Sequence, residues 1–195
     1  IRLSLVGSEM CIRDRLNMRS HSANQFTIDD LRDIAATCRE HGMKSYLTVN
    51  TVIYGDDLGT MHTIVDAAKE AQVSAVIASD VAVMMYCRQV GVEVHLSTQL
   101  NISNIDALKF YAQFADVVVL ARELNMEQVA EIYKQINEQR VLGPNGEPVR
   151  IEMFCHGALC MAVSGKCYLS LHDANRSANR GQCVQLCRRS YTAWR

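Results

Sequence analysis

No run in the 195-residue sequence approaches the ~20 apolar residues that a membrane span requires, so no transmembrane helix is expected. The net charge is only −1, which removes the global basic field that would advertise a nucleic-acid binder. The glycine-rich turn G-x-G-x-x-G of a dinucleotide-binding domain is missing, and so is the H-E-x-x-H of a zinc peptidase. No secretory leader is recognisable, and eight cysteines without one predict a reducing, cytoplasmic compartment. What is present is a chain that is 49 % apolar, long enough for one domain with a sizeable core.

Cysteine is distributed unevenly. Cys160, Cys167, Cys183 and Cys187 fall within 28 positions, beside Gly157, Gly165 and Gly181. Thiolates bunched among turn-forming glycines suit a metal or cluster, since several sulfurs must converge while the backbone bends around them. A disulfide pair or plain core cysteines is the alternative. The gaps are six residues, then a loop of fifteen, then three, which are not the two-residue knuckles of structural zinc or the common ferredoxin patterns. Four soft ligands at loose spacing fit a [4Fe–4S] cluster somewhat better than zinc, which stays the alternative. Cys38 and Cys87 lie in helical patterns and are expected in the core.

Upstream, strand and helix signals alternate. Strands are expected near 45–50, 73–78, 93–97, 116–121 and 151–155, most of them apolar and rich in β-branched residues. Helices are expected after Thr27, Asp57, Asp80, Asn104 and Asn125, each a capping residue type, with Asn125 and Gln128 forming a capping box. This alternation means a parallel α/β sheet. With the dinucleotide fingerprint absent, an incomplete (β/α) TIM-barrel-like domain followed by a cysteine-rich loop region is the expected fold. In such a barrel, chemistry gathers at the C-terminal ends of the strands. Those ends carry Asn50 and Thr51, Ser79 and Asp80, Ser97 to Gln99, Arg122 and Glu123, and His156. Asp80 and Thr98 read equally well as helix caps. His95, inside a strand, reads as a satisfied core residue.

The pattern Glu152-x-Phe154-x-x-Gly157-Ala158-Leu159-Cys160, then Gly165-x-Cys167-x-Leu169-Ser170, resembles the signature of the U32 group of collagenase-like peptidases. Ser177-Ala178-Asn179-Arg180-Gly181-x-Cys183-x-Gln185-x-Cys187-Arg188 is similar to that group as well. So are Leu16-Asn17-Met18-Arg19, Tyr46 to Thr51, Ser97-Thr98-Gln99 and Leu120 to Leu124, and the likeness covers roughly residues 16 to 192. The resemblance implies a barrel-like domain with an iron–sulfur cluster on Cys160, Cys167, Cys183 and Cys187. It also implies oxygen-independent hydroxylation of an RNA base, in tRNA or ribosomal RNA. The group's older label implies proteolysis, and its paired quinone-pathway members imply a non-catalytic metal-binding subunit beside a protein partner. Candidate catalytic residues are His156, Arg122, Glu123 and Glu152. Candidate substrate contacts are Asn50, Gln99, Arg180 and Arg188.

Charge is skewed at the end of the chain. From Leu171 onward Arg176, Arg180, Arg188, Arg189 and Arg195 stand against one acid, Asp173, a local patch that could meet RNA phosphates. A peptidase reading lacks an evident nucleophile and base, because Cys155 and His156, adjacent on a strand, would point to opposite faces. At the other end, Leu5 to Asp14 resembles a translated sequencing adapter. Residues 1–15 are therefore expected to be a non-native leader, 16–159 a partial barrel and 160–195 a truncated cluster-binding segment.

Overall fold

The computed structural model describes residues 9–13, 27–156, 160–190 and 192. Leu16 to Arg19 and Gly157 to Leu159, which carry part of the resemblance, lie outside these residues, as do Trp194 and Arg195. Six strands form one parallel sheet whose spatial order follows the chain: β1 (Glu9–Arg13), β2 (Lys44–Val49), β3 (Ala75–Ala78), β4 (Val94–Leu96), β5 (Val117–Val119) and β6 (Arg150–Glu152). Five helices connect them from β1 onward: α1 (Ile28–Glu40), α2 (Leu58–Glu70), α3 (Val81–Val90), α4 (Ile105–Ala112) and α5 (Met126–Glu138). A sixth, α6 (Leu169–Ala174), stands in the cysteine-rich segment.

Sequential order excludes a doubly wound sheet, which must reverse its strand order to place helices on both faces. With right-handed crossovers, each helix of this chain returns to the same face. The sheet is singly wound. Its register sorts the side chains accordingly. Ile12, Leu47, Val76 and Val94 are cross-strand partners and join Val49, Ala78, Leu96, Val118 and Leu120 in one apolar cluster. Against them pack Leu31, Ile34, Ala35 and Cys38 of α1, Met61, Ile64 and Val65 of α2, and Val83, Met84 and Cys87 of α3. Leu108 of α4 and Val129, Ile132 and Ile136 of α5 complete the layer. The alternate positions Tyr46, Thr48, His95, Val117 and Val119 are also buried, yet outside that cluster, and so define the sheet's second face.

The helices begin where the sequence says they should. Thr27 Oγ1 accepts from the Asp30 amide at 3.2 Å while the Thr27 amide donates to Asp30 at 2.7 Å. Asn125 and Gln128 close the equivalent box on α5. Each such cap contributes about 1 kcal/mol. Asp80 accepts from the amides of Ala82 and Ile53 at 2.9 and 3.0 Å, so it caps α3 and also pins the loop after β2.

One expectation needs correction. The sixth strand stops at Glu152, and Met153 to Cys155 are exposed and irregular, so strand alternation does not govern Cys155 and His156. Glu9–Arg13, within the expected leader, forms an edge strand in register with β2, and Ile12 is completely buried.

Candidate functional site

The C-terminal ends of the strands carry a connected set of hydrogen-bonding groups. Ser79 Oγ donates to the Asn50 carbonyl at 3.0 Å, and Asn50 Nδ2 reaches across β3 to Ser97 Oγ at 3.5 Å. Ser97 Oγ in turn donates to Gln99 Oε1 at 3.1 Å. Asn50 and Gln99, expected at the site, are thus joined through one hydroxyl. Thr98 is buried and donates to the Leu120 carbonyl at 3.5 Å, which ties the end of β4 to β5. Its role is structural.

Arg122 follows the end of β5. Its guanidinium lies 4.3 Å from the centre of the Phe154 ring, and its Nε is buried with no hydrogen-bond partner among the described residues. Glu123 is exposed and is not ion-paired with Arg122. Glu152 is the last residue of β6, in register with Val119, while His156 is exposed in a bend. Arg122, half-buried, and Glu152 therefore stand at the strand ends, and Glu152 is exposed like Glu123 and His156.

The cysteine-rich segment is anchored to these ends at two places. Asn101 Nδ2 donates to the carbonyls of both Gln99 and Ser164, each at 2.8 Å. Gly165, at φ +74°, approaches so closely that a Cβ there would stand 3.1 Å from Gln99 Cβ. At that backbone angle a side chain is strained as well. On the far side the Val52 amide donates to the Asn179 carbonyl at 3.0 Å. Arg180 pairs with Asp57 at 2.5 Å and lies over the Tyr54 ring at 4.3 Å. Asp57 was expected to cap α2, but its carboxylate accepts from the Tyr54 amide and Arg180 instead. Arg188 is exposed and bonds only locally, to Gln185.

The cysteines fall into two groups. Burial pushes the Cys87 thiol up to about 12 and raises that of Cys38, so neither offers a thiolate near neutrality. Cys160 and Cys187 are exposed, Cys167 and Cys183 half-buried, and none is in a disulfide. As donors, four unpaired thiols in one segment have the right chemistry for a soft metal centre. Their positions do not match it: among the described residues no three His, Cys, Asp or Glu side chains stand together as a metal site requires.

Sequence reasoning missed several groups at the anchors. A pocket of about 750 Å³ lies between the loop after β2 and the segment, lined by Tyr54, Asp57, Tyr168, Asn179 and Arg180 among others. Exposed tyrosines near turns were the available signal.

The second face of the sheet holds another charged group. His95 is buried, with Nε2 3.1 Å from Glu93 and its ring 4.8 Å from that of Tyr46. Arg150 also reaches Glu93 at 3.1 Å. The His95 hydrogen bond is the largest cause holding the Glu93 carboxyl below its ordinary 4.5, with Arg150 and Lys44 adding to it against the effect of burial. Glu93 precedes β4 and Arg150 opens β6, so this group lies away from the C-terminal strand ends that carry Asn50 and Gln99. The core reading of His95 holds.

The chain is similar to known proteins. The model of Peptidase family U32 matches residues 10–195. A collagenase of Porphyromonas gingivalis is 68 % identical over 91 % of this chain and 43 % of its own length. The tRNA hydroxylation protein P1 of Bacillus subtilis is 35 % identical over 87 % of this chain and 38 % of its own. The 23S rRNA 5-hydroxycytidine C2501 synthase of Escherichia coli is 33 % identical over 88 % and 24 %. The chain thus spans less than half the length of these relatives. A solved U32 peptidase structure matches in fold, with a TM-score of 0.55 at 13 % identity over 76 % of this chain and 60 % of that one. Among the described residues no helix is long and apolar enough to cross a membrane. A singly wound parallel sheet, a cysteine-rich segment anchored across its strand ends, and a family match over nearly the whole chain lead to one conclusion: the chain belongs to Peptidase family U32.

Proposed function

We propose that this chain is the barrel wall and cysteine segment of an oxygen-independent hydroxylase acting on an RNA base, in tRNA or ribosomal RNA, in the cytoplasm. The observation that carries the reading is the cysteine segment itself, four free thiols tied by Asn101 to a rim of neutral hydrogen-bonding groups and by Arg180 to Asp57. Such a rim suits the recognition of a polar heterocycle. On this reading Cys160, Cys167, Cys183 and Cys187, no three of which stand together here, would be drawn around a [4Fe–4S] cluster, which supplies electron transfer or Lewis acidity when bound. The chain's own residues have separate tasks. Asn50 and Gln99 orient the base through the Ser97 relay, Arg122 holds positive charge beside Phe154, and Glu152 accepts a proton at its carboxylate. Arg188, exposed and bonded locally to Gln185, meets phosphate.

Support comes from relatives named for tRNA and rRNA hydroxylation, aligned over 87 % and 88 % of the chain. Peptide hydrolysis is the second reading, favoured by the 68 % identity to a collagenase. Against it, no histidine among the described residues is hydrogen-bonded to a serine, threonine or cysteine side chain, the pair that a nucleophilic peptidase needs. Nucleoside mass spectrometry of tRNA and ribosomal RNA from a strain lacking the full-length gene tests the proposal. Loss of one hydroxylated pyrimidine is expected. An unchanged profile in both RNAs, with loss of gelatin hydrolysis, would overturn it in favour of the peptidase.

A further inference from the structure

We propose that the pocket between the loop after β2 and the cysteine segment is a nucleobase-binding site for single-stranded RNA. Its volume of about 750 Å³ lies in the range of small-ligand sites. Two phenol rings line it while remaining largely uncovered, Tyr54 at 59 % exposure and Tyr168 at 67 %. Tyrosines normally bury the ring and leave the hydroxyl wet, so a pair of bare rings at one concavity offers stacking surface. The Arg180 guanidinium adds a third flat surface, held over Tyr54 by its ion pair with Asp57.

Charge selects the ligand. Asp57 already matches the charge of Arg180, and Asp56 adds a second carboxylate to the lining, so the pocket is not cationic. A phosphate would be repelled there. A neutral ring with N–H donors would not. One acceptor at the lining lacks a partner: Asn179 Oδ1 has none among the described residues and lies beneath the pocket surface, so a base meets it once the Asn179 side chain turns outward. Uracil, cytosine and adenine each carry an N–H or amino group able to satisfy it. Arg176, Arg188 and Arg189, exposed on the same segment, supply positive charge for the backbone phosphates outside the pocket.

Choosing RNA over other carriers of a flat ring rests on the functional reading above; the stacking site itself does not. The test is fluorescence anisotropy of a short labelled oligouridine with the full chain. Tyr54→Ala and Tyr168→Ala should each weaken binding by about tenfold, the stacking contribution of one base, whereas Tyr54→Phe should bind as the unaltered chain does. An abasic oligomer should bind about as weakly as the alanine variants. Circular dichroism melts confirm that each variant is folded. The proposal is overturned if the unaltered chain does not bind oligouridine, if both alanine variants bind normally, or if a proline-rich peptide displaces the oligomer. The two readings fail separately. Tyrosine-dependent binding with an unchanged nucleoside profile keeps the pocket and removes the hydroxylase, and a lost nucleoside with tyrosine-independent binding does the reverse.

Discussion

The sheet-and-helix body, residues 27–152, and the segment at 160–190 are held together by different physics. In the body every helix lays an apolar stripe on the sheet, and Leu47, Met61, Met84, Leu96 and Leu108 are fully buried. Among the described residues of the segment the buried ones are few, namely Ser164, Ser170, Ala178, Gly181 and Leu186, and of these Leu186 alone is large and apolar. Its other large apolar side chains are mostly turned outward, with Met161 at 80 % exposure and Val163 at 50 %. The body stabilises itself by excluding water. The segment depends on individual hydrogen bonds and on one ion pair to the body.

Removing a core side chain should expose the difference most strongly. Leu96→Ala is expected to lower global stability by ~2–5 kcal/mol, through lost burial plus a cavity, in urea unfolding followed by circular dichroism. A loss below about 1 kcal/mol would mean that the body is not the stabilising unit. Asp57→Asn acts on the other region. It removes a partly exposed ion pair worth at most about 1 kcal/mol, so the melt should barely move while cleavage within 160–190 in limited proteolysis accelerates by about fivefold. Equal effects on both regions would erase the contrast.

The body was legible because its signals are local. Capping residues at Thr27, Asp80 and Asn125 act within three residues, and apolar spacing reports a helix face directly. Cys38 and Cys87 sit in the core for the same reason, since each occupies an apolar stripe. The segment resisted because its contacts are distant. Arg180 meets Asp57 across 123 positions, and no spacing rule pairs them. Asp57 carries the type and position of a helix cap, so only the fold reveals that it serves Arg180 instead. Tyr54 and Tyr168 belong to one pocket for the same non-local reason. The strand ending at Glu152 was overextended to Cys155 because Met153 and Phe154 are apolar, yet no partner strand reaches them.

A smaller effect distinguishes the sheet's second face. Glu93 has a folded pKa below its ordinary 4.5, so its contribution to stability is fully present above about pH 4.5 and is lost as pH falls through the folded value. Glu93→Gln should cost about 1 kcal/mol at neutral pH and flatten the acid side of the stability curve. If the variant matches the parent at both pH values, the His95–Glu93–Arg150 contacts do not stabilise the sheet.

The proposal tested most directly is that a [4Fe–4S] cluster on the four thiols organises the cysteine segment. Iron and acid-labile sulfide should be measured in chain purified without oxygen, beside Cys→Ala variants at 160, 167, 183 and 187 and at Cys38. The account predicts about four iron and about four sulfide per chain, lost in each of the four variants and kept in Cys38→Ala. One zinc per chain, no metal at all, or iron that survives those substitutions would contradict it.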